Sequence, residues 1–313
     1  MRVLFAGTPE VAVPTLQALL DSEHEVVGVL SRADARQGRG RKLVPSPVAA
    51  LAREHNLNVF TPASLRNEEA SQWVHECQAD VAVVVAYGRI VPPDLLTVPT
   101  HGWLNLHFSL LPAWRGAAPV QRAIINGDQV TGAAVFALEE GLDTGPIYAQ
   151  LERPIDPRDT SGSLLSALAD DGAPLVLQVL QALASGQAVA KAQASEGISE
   201  AHMLAVSDAK VDWNTSAVVI DRLIRGVTPA PGAWTTLAGV RLRLGPVELV
   251  DAPQLEPGEV LASKRQVLVG TADGVVALGQ VAPAGKKWMD AAAWARGARL
   301  DEHTVLGQEV EAN

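Results

Sequence analysis

Three short runs, Arg2–Ala6, Glu25–Leu30 and Asp80–Ala86, are apolar almost throughout and stand between segments of helical pattern. A strand with one wet face alternates polar and apolar residues, whereas a strand covered on both faces does not. Helical segments near Val11–Asp21, from Ser46-Pro47 to about His55, and at Asn67–Gln78 supply the covers. Pro9 suits a first helical turn, where its missing N–H costs nothing, and Asn67 suits a cap. Further strands are expected at Gly102–His107, Thr131–Leu138 and Ile147–Arg153, with helices near Ala117–Asn126 and at Thr160–Ala184. Strand and helix in alternation define an α/β domain with a mostly parallel, doubly wound, Rossmann-like sheet.

The pattern then changes. Residues 184–199 are rich in Ala, Gly, Ser and Gln without an apolar period, which reads as a linker. Beyond a helix at Ser216–Arg225, short strand-like runs recur at Ala233–Leu237, Val240–Leu244, Val247–Leu249, Gly258–Ala262, Gln266–Val269 and Val275–Val281. Strands without intervening helices suggest a small β-barrel, and a five-stranded OB-like barrel suits the length. The expected division is a catalytic domain at 1–188, a linker at 189–206 and an OB-like domain at 207–313. A chain of 313 residues is long enough for two cores.

Composition narrows the classes. An apolar share of 48% with 19% charged residues describes a soluble globular protein. The single cysteine, Cys77, rules out an intrachain disulfide framework and a Cys-rich zinc site. No His and carboxylate cluster has metal-ligand spacing, so no metal is expected. The apolar start ends at Gly7-Thr8-Pro9-Glu10, too soon for a signal peptide, and no stretch is expected to span a bilayer. A cytoplasmic protein without a membrane partner follows. Gly7-Thr8-Pro9 lacks the second glycine of a dinucleotide fingerprint, which disfavours a nicotinamide cofactor.

The net charge of −10 argues against a polyanionic partner, but its distribution argues back. Residues 1–200 hold 14 Lys and Arg against 22 Asp and Glu, while residues 201–300 hold 11 against nine. Within Arg32–Lys42, the basic residues Arg32, Arg36, Arg39, Arg41 and Lys42 meet only Asp34. Gly and Ala between them make a flexible loop suited to ordering on phosphate, although a solvated loop is the plainer reading. Lys286 and Lys287, followed by Arg296 and Arg299, form a second basic spot. Together the two favour a polyanion.

The chemistry centres on Trp103-Leu104-Asn105-Leu106-His107. Side chains two apart on a strand share a face, so Asn105 and His107 emerge together while Leu104 and Leu106 enter a core. Open α/β sheets build their sites at the carboxyl ends of strands. A buried amide and a buried imidazole both need partners, so the pair is a costly way to fill a core. Asp143 lies in Gly141-Leu142-Asp143-Thr144-Gly145-Pro146, a sequence that serves as a sharp turn and can also bring a carboxylate to His107. A carboxylate there favours the protonated imidazole.

These strings resemble the methionyl-tRNA formyltransferases within the folate-dependent formyltransferases. The likeness rests on Phe5-Ala6-Gly7-Thr8-Pro9-Glu10, on Gly38 to Pro47, on Asn105-Leu106-His107 with Ser109-Leu110-Leu111-Pro112, on Trp114-Arg115-Gly116-Ala117-Ala118-Pro119, on the Gly141–Gly145 turn, and on Pro283-Ala284-Gly285-Lys286-Lys287. Phe108, Ala134 and Ala137-Leu138-Glu139 depart from the usual pattern.

The resemblance implies 10-formyltetrahydrofolate as formyl donor and initiator methionyl-tRNA as acceptor; a monomer is expected. It places the catalytic trio on Asn105, His107 and Asp143, and folate binding on Ser109, Leu110, Leu111 and Pro112. It places tRNA binding on Arg32, Arg36, Arg39, Arg41 and Lys42, with Lys286 and Lys287 in the second domain. Two alternatives stand beside it: a formyltransferase with a nucleotide-sugar or purine-precursor acceptor, and a non-enzymatic RNA-binding protein on the same fold.

Overall fold

The computed structural model describes residues 1–37, 42–298, 300–301 and 303–308. The chain forms two compact units that exchange segments: Met1–Pro119, Val130–Pro154 and Leu165–Ala201 make the first, and Val120–Gln129, Ile155–Leu164 and His202–Asn313 the second.

The first unit is built on a seven-stranded sheet. Its order is Ile147–Pro154, Val130–Ala137, Trp103–His107, Val81–Val85, Arg2–Gly7, Glu25–Leu30 and Val59–Phe60. The last five strands in that order run parallel, and the first two extend the sheet in antiparallel fashion. All five residues of Val81–Val85 are buried, as are Val3 to Gly7. These two covering helices begin where the sequence places them, after Ser46 and Asn67. The Ser46 hydroxyl accepts from the Ala49 N–H ahead of Pro47–Glu54, and the Asn67 side chain accepts from the Ala70 N–H ahead of Glu68–Glu76.

The helix Ser161–Ala184 is 24 residues long, and by length and composition it could cross a membrane, against the expectation that no stretch could. Asp170 and Asp171 interrupt it, and Leu168, Val176 and Leu180 are fully buried, as in a core helix. At Gly172 it approaches the sheet closely: a Cβ there would lie 2.8 Å from Leu106 Cδ2. Leu106 therefore faces this helix, which leaves Asn105 and His107 to the opposite face. Gly172→Val overfills that contact, with an expected loss of about 1–3 kcal/mol in stability, read as a lower denaturation midpoint. An unchanged midpoint would mean that the helix and strand do not meet this tightly.

The basic stretch Arg32–Lys42 reads as a loop in sequence, but Ala35–Gln37 and Lys42–Val44 pair as an antiparallel ribbon. Strands of three residues are too short to show an apolar period. Backbone pairing forms them, and pairing is not written in side-chain pattern.

The second unit has two four-stranded antiparallel sheets. One orders Trp234–Leu237, Val240–Leu244, Gln280–Pro283 and Met289–Asp290, and the other Val247–Val250, Val275–Leu278, Val267–Gly270 and Val260–Ala262. The six expected runs become eight strands among the described residues, because the run read as Val275–Val281 divides in two at Gly279 and Met289–Asp290 adds a short strand. Ser216 caps the helix Ala217–Gly226, whose Ile220 and Ile224 join Trp213, Val269, Val276 and Val281 in the core.

Candidate active site

His107 closes the strand Trp103–His107 and is 6% exposed at its side chain. Its Nε2 lies 2.9 Å from the Trp114 carbonyl oxygen. A carbonyl only accepts, so Nε2 carries the hydrogen and, in the neutral ring, Nδ1 keeps the lone pair. Nδ1 faces Asp143 Oδ2 at 3.7 Å, and the Asp143 side chain is 13% exposed. The Phe136 ring meets the imidazole edge-on, with centroids 6.3 Å apart.

Burial lowers the His107 pKa from its ordinary value, while the Asp143 charge and the Trp114 carbonyl oppose that shift. That direction favours the neutral imidazole. The carboxylate favours the protonated ring, as a nearby opposite charge must, but at 3.7 Å it acts against desolvation of the buried ring, which is the larger effect.

The loops that deliver these partners are held in uncommon backbone conformations. Trp114 has φ +59° and Asp143 φ +51°, both left-handed and neither a glycine. Asp143 Oδ2 also accepts the Gly116 N–H at 2.8 Å. Gly116 has φ +124°, and a Cβ there would stand 2.8 Å from the Ala201 carbonyl oxygen, so glycine is required on both counts. Asn105 shares the face of His107, is half-buried, and has no hydrogen bond to its amide among the described residues. A donor left unspent in a half-buried position is free to meet a ligand.

The segment Ser109–Pro112 is largely committed to itself. Ser109 is fully buried and its hydroxyl donates to the Ala113 carbonyl. The Leu110 carbonyl accepts from Ala113 N–H and the Leu111 carbonyl from Gln150 Nε2. Leu111 is buried with Ala134 and Phe136, so the Ala134 departure falls in packing beside the His107 strand. Leu110 and Pro112 keep partial exposure.

Of the basic arm, Arg32, Arg36 and Lys42 are exposed, whereas Arg39 and Arg41 lie outside the described residues. Arg36 pairs with Leu43 across the ribbon and Lys42 with Gln37, so Arg36 and Lys42 belong to opposite faces. In the second unit Lys286 and Lys287 are exposed on the connection between Gln280–Pro283 and Met289–Asp290.

That sheet carries a group which sequence reading missed. The Arg241 guanidinium sits 4.0 Å from the Trp234 ring centroid with Lys210 at 5.7 Å, and Arg243 sits 4.9 Å from the Trp288 ring. The signal was the alternation Val240-Arg241-Leu242-Arg243-Leu244, which turns both arginines outward.

A doubly wound sheet with an imidazole, a carboxylate and a free amide at one strand end is the architecture of an α/β enzyme of polar group transfer. The chain belongs to the formyl transferase family: the formyl transferase profile matches residues 1–180, and the formyl transferase C-terminal domain profile matches residues 203–299. It is similar to methionyl-tRNA formyltransferase of Thermobifida fusca, 53% identical over 310 residues that cover 99% of this chain and all of the relative. The enzyme of the same name from Mycobacteroides abscessus is 52% identical, covering 96% of this chain and 98% of the relative. Among solved structures, WlaRD, a sugar 3N-formyl transferase, shares the fold at a TM-score of 0.62 and 17% identity, covering 92% of this chain and 99% of that one.

Proposed function

We propose that the protein transfers the formyl group of 10-formyltetrahydrofolate to the α-amino group of initiator methionyl-tRNA in the cytoplasm. The observation that carries the chemistry is the buried imidazole of His107, held between the Trp114 carbonyl and the Asp143 carboxylate on the strand face of Asn105. The choice of acceptor is supported by the full-length likeness to enzymes named for it.

In this reading the amino nitrogen attacks the formyl carbon, and negative charge develops on the formyl oxygen. The Asn105 amide donates to that oxygen. The nitrogen's proton passes to the imidazole, where the Asp143 carboxylate stabilises the resulting cation, and then to the departing folate nitrogen. One C–N bond forms, one breaks, and the imidazole returns neutral. Leu110 and Pro112 offer apolar surface to the folate, with the buried Ser109 and Leu111 holding their turn.

For the tRNA we assign the exposed Arg32, Arg36 and Lys42 of the ribbon, with Arg39 and Arg41 between them in sequence, and the Lys286–Lys287 connection. To these we add Arg241 and Arg243, whose guanidinium groups lie against indole rings. Removing both arginines as Arg241→Ala with Arg243→Ala is expected to raise the tRNA Kd. The slope of log affinity against log salt should fall by about 1 per lost phosphate contact. Equal affinity and an equal slope would place the RNA elsewhere.

The test of the function is incubation with methionyl initiator tRNA and 10-formyltetrahydrofolate, followed by mass analysis of the released aminoacyl group. A gain of one formyl on methionine is expected. Formylation of an amino sugar nucleotide in its place would overturn the acceptor.

A further inference from the structure

The segment between the helix Ser161–Ala184 and residue Ala201 reads as a featureless linker, yet it touches both partners of the imidazole. Lys191 exchanges two backbone hydrogen bonds with Ile147, at 2.8 Å each, just beyond the Asp143 turn. The Gln193 amide then divides its bonds between two loops. Its Oε1 accepts from Arg115 Nε and Nη2 at 3.1 and 2.7 Å, and its Nε2 donates to the Asp143 and Gly145 carbonyls at 2.7 and 2.8 Å. Two acceptor sites and two donor hydrogens are the full capacity of a carboxamide.

Further along, Ser199 Oγ accepts the Trp114 N–H at 2.9 Å, and Glu200–Ala201 pairs in parallel with Arg115–Gly116. Trp114 and Asp143 are the residues whose left-handed backbones need support from outside themselves. Gln193 is half-buried among exposed neighbours, so core packing does not explain it.

We infer that Gln193 is a positioning residue, which holds the Asp143 turn against the Arg115 loop and thereby sets the carboxylate at its place beside His107. The inference rests on the reading of His107 and Asp143 as the reacting pair. The groups that act on the imidazole are the Asp143 charge and the Trp114 carbonyl, and the nearby Arg115 guanidinium is turned to Gln193. Releasing the turn lets the carboxylate drift. The neutral ring then persists to lower pH, and the imidazolium formed during transfer loses its partner.

The experiment is a cycle of Gln193→Ala, Asp143→Asn and the double variant, each read as kcat, KM and the pH profile of kcat/KM. Gln193→Ala is expected to lower kcat about 10- to 100-fold with little change in either KM. Its acid limb should move to lower pH, as in Asp143→Asn. In the Asp143→Asn background the same change should cost less than about twofold, because the carboxylate it positions is gone.

Gln193→Glu keeps acceptors for Arg115 but loses both donors to the turn, so it should match Gln193→Ala in kcat; wild-type kcat in this folded variant would overturn the inference. Independent, multiplicative losses in the cycle would also overturn it while leaving the His107–Asp143 reading in place. An Asp143→Asn enzyme with unaltered kcat and pH profile would instead sink that reading, and the inference with it.

Discussion

Replacing His107 by alanine is expected to lower kcat for formyl transfer about 10²- to 10⁴-fold, the range of a positioned acid–base group, with both KM values nearly kept. The loss belongs in kcat because both ring nitrogens face protein groups, Trp114 O and Asp143 Oδ2, which orient the ring for its proton. The pH profile separates this role from a merely structural one. A base must be neutral to act, and burial lowers this imidazole's pKa from its ordinary value. The acid limb of kcat/KM in the free enzyme should therefore fall below the ordinary imidazole value of about 6.5. The Asp143 charge opposes the shift, so Asp143→Asn should carry the limb further down while also lowering the plateau. A limb at or above the ordinary value would show that burial does not lower this pKa, a basic limb in its place would show that the ring reacts from its protonated state, and wild-type kcat in His107→Ala would remove it from the reaction.

What the sequence discloses depends on how far apart the cooperating residues lie. Val81–Val85 and the caps at Ser46 and Asn67 are legible because a both-faces-buried strand and an N-cap are local statements. Asn105 and His107 are legible for the same reason, two positions apart on one strand. The approach of Asp143 to His107 needed the turn's fold, and the resemblance supplied it, because no local pattern says that a turn 36 residues on folds over that face.

Gln193 was invisible: its partners lie 50 and 78 residues back, and its surroundings have the composition of a linker. The charge balance at His107 was illegible on different grounds. Sequence shows that a carboxylate is available, whereas the balance between its field and desolvation is set by burial and by a distance. Arg241 and Arg243 were passed over because cation–π contact with Trp234 and Trp288 requires cross-strand and cross-turn register, which alternation alone does not give.

Asn105→Ala tests the other half of the mechanism. The amide is half-buried and uncommitted, so its removal leaves no orphaned partner within the described residues and should hardly move the thermal midpoint. In the reaction it faces charge that exists only in transit on the formyl oxygen. An interaction made only then lowers kcat and kcat/KM equally when lost, and one such donor is worth about 10²- to 10³-fold, or about 2.7–4 kcal/mol. Asn105→Asp sharpens the point, since it keeps the size but presents an acceptor, which repels the same oxygen; its kcat should be no higher than that of Asn105→Ala. If Asn105→Asp instead retained most of the activity, the amide would be serving as an acceptor or as packing, and the developing charge would have to be met by another donor at this strand end.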